Sequence, residues 1–448
     1  MLNIKVLRDA SETICANLAK RRAPIFDDLG LDCADWAAKT TARLQKLDAD
    51  YLDLLHQQEQ LRRQQNDNSA AMRKVGKLPK AEQAAARTPL VELGRSLREQ
   101  EKHLAEAAEQ ALANRDEAWG RVPNLTHADV PEGHEDSDHR ELRRVGTPRD
   151  FGAEGFEPKD HLALAEAREL VDFAAGARVT GQKWYYLKNA AVLLDLALQR
   201  YALGVAQKHG FTLHITPDLA RREILAGLGF NPRGESTQVY SVENSDLCLV
   251  GTAEITLGGM LADSIIPEED LPVLVAGLSH CFRTEAGASG QESRGLYRVH
   301  QFTKVELFAF TTPSQSEVMH DKLLAIEEQI FADLEIPYRV LDIASGDLGG
   351  PAFRKYDLEA WMPGRGAYGE ITSTSNCTDY QARRLKIRYR PEAVDGKKQK
   401  PRYVHMLNGT AVACSRALVA IFENHQRADG SIRVPKVLVP WVGAEVIG

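Results

Sequence analysis

From Leu44 onward, apolar or neutral side chains recur three and four residues apart, at Leu44, Leu47, Tyr51, Leu54, Gln58 and Leu61. A second run repeats the rhythm at Leu90, Leu93, Leu97, Gln100, Leu104, Ala107 and Ala111. That spacing is the seam of a coiled coil. Gly76 and Pro79 fall between the runs, and Thr88-Pro89 reads as an N-cap followed by proline at the first helical position, where its missing N–H is harmless. The pattern predicts an antiparallel helical hairpin over about residues 44–118. At 1.5 Å of rise per residue, about 30 residues per helix project roughly 45 Å.

Near residue 120 the texture changes. The segment RVPNLTHADVPEGHEDSDHREL is rich in turn formers and acids and reads as a linker. Next, LKNAAVLLDLALQRYALGVAQKHGF has helical periodicity ending at Gly210, and FTLHITPDL reads as a strand closed by Pro217. RVLDIASGDLGG, YDLEAWMPG and AYGEITSTSN read as strands, and ACSRALVAIFENHQ as a long helix. Strands following one another with little helix between them predict an α+β class built on an antiparallel sheet. The implied domains are residues 1–120, carrying the hairpin, and residues 121–448.

One hairpin carries an unusual row of charge. If CFRTE, from Cys281, is a strand, Arg283 and Glu285 share a face. If YRVHQFTKVELFAF is its returning partner, Arg298, His300, Phe302, Lys304 and Glu306 share one face while Val299, Val305 and Leu307 take the other. Guanidinium forks suit phosphates, a carboxylate suits an amine or metal, and a ring stacks on a flat base. The row is therefore either a nucleotide site or a solvated strand face.

Composition narrows the class. A chain of 448 residues, 43 % apolar and 27 % charged, has the makings of a globular protein with a large core. The net charge of -7 argues against a wholly basic nucleic-acid coat. Yet residues 62–87 hold Arg62, Arg63, Arg73, Lys74, Lys77, Lys80 and Arg87 against only Asp67 and Glu82, a basic hairpin tip suited to a phosphate backbone or simply to water. No apolar run approaches the roughly 18 residues of a membrane span, and the start has no signal-like segment, so a cytoplasmic protein is expected. Six scattered cysteines without a CxxC pair suggest no structural zinc and no disulfide framework, and His127, His134 and His139 fit no ligand spacing.

The charged hairpin also carries a resemblance. FRTE, its loop and RVHQF resemble motif 2 of the class II aminoacyl-tRNA synthetases. GTAEITL at 251–257, GEITSTSNCTDYQARR at 369–384 and LNGTAVACSRALVAIFENHQRADGSIRVPKVL resemble the seryl-tRNA synthetase family in particular, as do the chain's start and VGTPRDF. The resemblance implies a six- or seven-stranded antiparallel sheet flanked by helices, in a homodimer whose helical arm grips the long variable arm of serine tRNA. It implies ATP, Mg²⁺ and L-serine as ligands, with seryl adenylate as intermediate.

Roles carry over residue by residue. Arg283 is similar to the arginine on the α-phosphate and the serine carboxylate, Glu285 to the acid on the adenine side, Phe302 to the stacking ring, and Arg416 to the γ-phosphate arginine; Arg283, Glu285 and Arg416 form the implied catalytic set. Thr284, Arg298, Glu370, Ile371, Thr372 and Ser373 complete the implied ATP site, with Glu370 and Ser373 toward Mg²⁺. Thr252, Ala253, Glu254, Glu306, Asn408 and Thr410, with Arg283, make the implied serine pocket, and Arg62, Arg63, Arg73 and Lys74 the tRNA contacts. On a regular strand Glu370 and Ser373 would face opposite sides, so a bulge or strand end is required between them. Motif 3, GTAVACSR, lacks a second glycine before Arg416. A catalytically inactive RNA-binding paralogue is the alternative, and the presence of Arg283, Glu285, Glu306, Glu370 and Arg416 argues against it.

Overall fold

The structure is a computed structural model that describes residues 1–230, 238–285 and 294–448. The chain divides into two compact units, Met1–Pro123 and Asn124–Gly448. The first is dominated by two long helices, α1 (Trp36–Val75) and α2 (Lys80–Arg121), antiparallel across the turn at 76–79. With 40 and 42 residues they are longer than expected, roughly 60 Å each.

Two details of the hairpin differ from the sequence reading. Pro89 lies inside α2, and Thr88 is no N-cap: its Oγ1 donates to the carbonyl of Ala84 at 3.1 Å. The strong helix formers KAEQAAAR upstream extend the helix back to Pro79, and proline removes only one N–H on an exposed face. The seam of α2 is also displaced in half of its positions. Leu90, Leu97, Leu104 and Ala111 face the partner, but the places between are filled by Gly94 and Ala108, while Leu93 is 47 % exposed. Gly94 allows close approach: a Cβ there would stand 3.0 Å from Asn68 Nδ2. That amide donates to the Leu90 carbonyl at 3.1 Å, as Gln58 does to Leu104 at 3.1 Å. At the arm's base, buried Asp48 accepts from Arg8 at 2.6 Å and Arg115 at 3.3 Å.

The second unit is built on an eight-stranded sheet. In chain order its strands are β1 (Arg140–Val145), β2 (Thr212–Ile215), β3 (Val273–Phe282), β4 (Gln301–Thr311), β5 (Tyr338–Asp342), β6 (Arg354–Met362), β7 (Ala367–Asn376) and β8 (His405–Ala413). Their spatial order is β1-β5-β6-β7-β8-β4-β3-β2. The expected six or seven strands become eight among the described residues, and the edge strand β2 runs parallel to β3 where the others are antiparallel. Helix α3 (Ala190–Lys208) feeds directly into that strand, and this connection fixes its direction.

Alternation along the strands separates a core from a working surface. Val305 and Leu307 on β4, with Val412 on β8, are wholly buried in the same cluster as α3, α4 (Ser316–Asp333) and α5 (Cys414–Asn424). Phe302, Lys304 and Glu306 take the other face of β4, where the candidate site lies. Further along, Phe308 and Phe310 join a second cluster with Leu225, Leu228, Ile255 and Leu257 that closes the end of that surface.

Candidate active site

The charged hairpin is regular over less of its length than expected. β3 ends at Phe282 and β4 begins at Gln301, so Arg283, Glu285, Arg298 and His300 all lie beyond the paired strands. The glycine- and serine-rich loop at 286–293 lies outside the described residues. His300 leaves the charged row: its ring stacks on Trp184 at 5.6 Å and its Nδ1 meets Tyr240 Oη at 2.9 Å. Arg283 and Glu285 still reach the cleft. Arg283 donates from Nε to the Gly251 carbonyl at 3.3 Å, with its guanidinium 5.3 Å from the centre of the Phe302 ring. Glu285 faces Arg298 at 3.5 Å.

The conflict between Glu370 and Ser373 is resolved by a bulge. Thr372 pairs with Leu358 and Glu370 with the next residue, Glu359, leaving Ile371 unpaired. One extra residue restores the phase, and Glu370 and Ser373 line the same cavity. A second bulge, on β8 between Thr410 and Val412, stands beside it. The Thr372 hydroxyl ties the two strands by donating to the Thr410 carbonyl. Arg416, at the start of α5, reaches Glu370 Oε2 and the Glu370 carbonyl, each at 3.1 Å, and Tyr297 Oη donates to that carbonyl at 3.0 Å. Burial pushes the Glu370 carboxyl up, but the charges of Arg416 and Lys355 outweigh it and hold the group below the ordinary carboxylate range.

Deeper in, Lys304 and Glu306 form a buried ion pair, and the Thr410 hydroxyl bridges them, 3.3 Å from Glu306 Oε2 and 3.4 Å from Lys304 Nζ. Thr252 Oγ1 accepts from the Glu254 N–H at 3.2 Å, at the start of the short helix Glu254–Gly259. Glu254 Oε1 accepts from Gln381 at 2.7 Å. Burial, with Glu306 nearby, pushes the Glu254 carboxyl up to about 7.

These residues line two adjoining spaces. One is walled by Glu285, Arg298, Phe302, Glu370, Ile371, Thr372 and Arg416. The other is walled by Thr252, Glu254, Glu306 and Asn408. Arg283, Lys304, Ser373 and Thr410 belong to both walls. Two candidates fall outside. Thr284 directs its N–H to the Gln238 carbonyl at 3.1 Å and lines neither space, and Ala253 is wholly buried in the core below.

Other lining residues escaped the sequence reading. Lys355, paired with Asp357 at 3.0 Å, stands one residue before the stretch read as a strand, although a Lys-x-Asp alternation signals one face. Tyr297 would lie opposite Arg298 in an extended chain, but the turn Gly295–Tyr297 removes that alternation. Cys377, 1 % exposed, completes the deeper wall beside Asn408. On the arm, Arg62, Arg63, Arg73 and Lys74 are all exposed, but only the last two adjoin the turn. Arg62 and Arg63 lie about 20 Å down α1, and Arg63 is paired with Glu59 at 2.6 Å.

Comparison with known proteins identifies the family. Residues 238–425 match the tRNA synthetase class II core domain (G, H, P, S and T). The serine–tRNA ligase of Rubrobacter xylanophilus is 52 % identical, with 100 % of this chain and 99 % of the relative covered. That of Rhodopirellula baltica is 50 % identical with the same coverage. Among solved structures, seryl-tRNA synthetase from Pyrococcus horikoshii complexed with ATP superposes with a TM-score of 0.89 at 39 % identity, covering 100 % of this chain and 99 % of the other. Cytoplasmic serine-tRNA ligase from Naegleria fowleri in complex with AMP gives 0.83 at 29 % identity, covering 100 % and 98 %. Identity of this order along the whole chain places the protein in the seryl-tRNA synthetase family of class II aminoacyl-tRNA synthetases.

Proposed function

We propose that ATP occupies the space around Phe302 and Arg416, that L-serine occupies the space around Thr252, Glu254 and Glu306, and that they react where the two meet at Arg283. The protein is a serine–tRNA ligase: it activates L-serine with ATP and transfers it to the 3′ end of serine tRNA. The observation that carries the placement is the set of four residues common to both walls. Only there can one guanidinium touch a serine carboxylate and an α-phosphate together.

The serine carboxylate attacks the α-phosphorus and pyrophosphate leaves. Arg283 and Arg416 stabilise the charge gathering on phosphoryl oxygens. Phe302 stacks on adenine, and Glu285, held by Arg298, accepts from its amino group. A hydroxyl of the terminal adenosine of tRNA then attacks the activated carbonyl and AMP departs. No protein side chain forms a covalent bond, so positioning supplies most of the rate. Serine is selected by the Thr410–Glu306–Lys304 network, because an amino acid without the hydroxyl leaves buried polar groups unpaired.

Glu370 and Ser373 suit Mg²⁺ shared with ATP. They offer two hard oxygen donors on one face, one an ionised carboxylate, and among the described residues no group of three His, Cys, Asp or Glu side chains forms a complete cage. The ion supplies positive charge against the phosphates when bound. The unit containing the arm binds tRNA, with Arg62, Arg63, Arg73 and Lys74 on phosphates. The enzyme works as a homodimer, which would cover the exposed Val192, Leu193 and Leu196 of α3 and Ile215, 85 % exposed, on the edge strand β2. Among the described residues no helix is long and apolar enough to cross a membrane, and we place the enzyme in the cytoplasm. Pyrophosphate exchange across a panel of amino acids tests the central reading: exchange should depend on serine, and equal exchange with alanine would refute the pocket assignment.

A further inference from the structure

Beside the nucleotide cleft lies a further cavity that shares Tyr297 with it and is lined by Asp160, His161, Arg294, Arg365 and Glu423. Its acids are already engaged. Asp160 caps the helix His161–Ala167 by accepting from the Ala163 N–H at 2.9 Å, and faces Arg294 at 3.4 Å. Glu423, wholly buried, accepts from the His161 N–H at 3.0 Å and the Gly364 N–H at 2.9 Å, and meets His161 Nδ1 at 2.9 Å.

Arg365 comes from the turn between β6 and β7, where Gly366 has a φ of 62°. Its guanidinium carbon lies 4.7 Å from the centre of the Tyr297 ring, and that of Arg416 lies 4.9 Å from the same centre. Two arginines, one from each cavity, thus share one ring and stand within about 10 Å of each other. Gly369 makes the arrangement possible. A Cβ at that position would stand 3.0 Å from Tyr297 Oη and 3.2 Å from Arg365 Nη1. A polyanion whose end reaches Arg416 therefore comes within about 10 Å of a second guanidinium. Arg416 opens on the cleft, Arg365 on the annex, and Tyr297 is the wall between.

We propose that Arg365 is a second binding residue for the polyphosphate of ATP, receiving the terminal phosphates across Tyr297 and holding pyrophosphate as it leaves. The inference rests on the placement of ATP given above.

The test is calorimetric titration of the full-length protein with MgATP, AMP and inorganic pyrophosphate, without serine. Arg365→Ala should weaken ATP and pyrophosphate about tenfold, the scale of one charge-assisted hydrogen bond. AMP, which lacks both terminal phosphates, should bind as before. Arg365→Lys keeps the charge but loses the fork and should fall between. Gly369→Ala displaces the guanidinium without removing it and should reproduce part of the loss, which keeps the proposal testable if Arg365→Ala folds poorly. In exchange assays the KM for pyrophosphate should rise while the KM for serine stays constant. Unchanged ATP and pyrophosphate affinities in the variants would overturn the proposal, as would AMP and ATP weakening equally. A wild-type protein that binds no ATP would instead sink the nucleotide placement itself.

Discussion

Glu254 offers a test of the serine pocket that requires only a change of pH. Its carboxyl moves from an ordinary 4.5 to about 7, chiefly by burial and then by the neighbouring Glu306. At 1.36 kcal/mol per unit this disfavours the ionised form in the empty pocket by about 3 kcal/mol. If the serine ammonium seats against Glu254, binding requires the carboxylate, and a proton competes with serine below the raised value. The direction follows: affinity is full above about 7 and falls as pH drops. For a single site of that pKa, the serine KM should rise about tenfold between pH 8 and pH 6. Glu254→Gln should remove that slope and raise the KM at pH 8 by about ten- to a hundredfold, the scale of a lost hydrogen bond to a charged group. The assay is serine-dependent pyrophosphate exchange at saturating ATP across that range, with thermal melting to confirm that the variant is folded. A serine KM flat from pH 6 to 8 in the wild type, or an identical slope in the glutamine variant, would refute the reasoning.

Arg283→Ala and Arg416→Ala should each lower adenylation by about two to three orders of magnitude, as when one strong transition-state donor is lost; near-normal exchange in a folded variant would contradict the assignment. Thr410→Ala should raise the serine KM and weaken discrimination against alanine, measured as the ratio of kcat/KM values. Deleting residues 55–107 behind a short linker, which spares the Arg8–Asp48–Arg115 base, should leave serine-dependent exchange intact while tRNA charging collapses. Neutralising Arg62, Arg63, Arg73 and Lys74 together should flatten the salt dependence of tRNA binding, and an unchanged slope would make the arm structural.

The sequence was most readable where one local rule decides the outcome. The seven-residue spacing of Leu90, Leu97, Leu104 and Ala111 marks a helix face whatever surrounds it. The intermediate positions were misread because hydrophobicity favours Leu93 over Gly94, whereas a close interhelical approach favours the residue with no side chain. Strict alternation placed Phe302, Lys304 and Glu306 together and failed at His300, where the strand has not begun. The need for a bulge near Glu370 could be argued from phase alone. That it falls at Ile371, with a second bulge on β8, is set by pairing across four strands. Lys355 and Tyr297 reach the site through a register and a turn, neither of which a single segment encodes.

With ATP and serine in the two spaces as proposed, the wall common to them makes the substrates thermodynamic partners before any bond forms. Arg283, Lys304, Ser373 and Thr410 cannot be arranged for one ligand independently of the other. Whatever ordering the first ligand imposes on them, the second finds already done, so each should tighten the other by the same factor, whichever binds first. A substitution on that wall should therefore change the cooperativity between the substrates, whereas one at Phe302 or Glu254 should change the affinity for a single substrate and leave the coupling as it was.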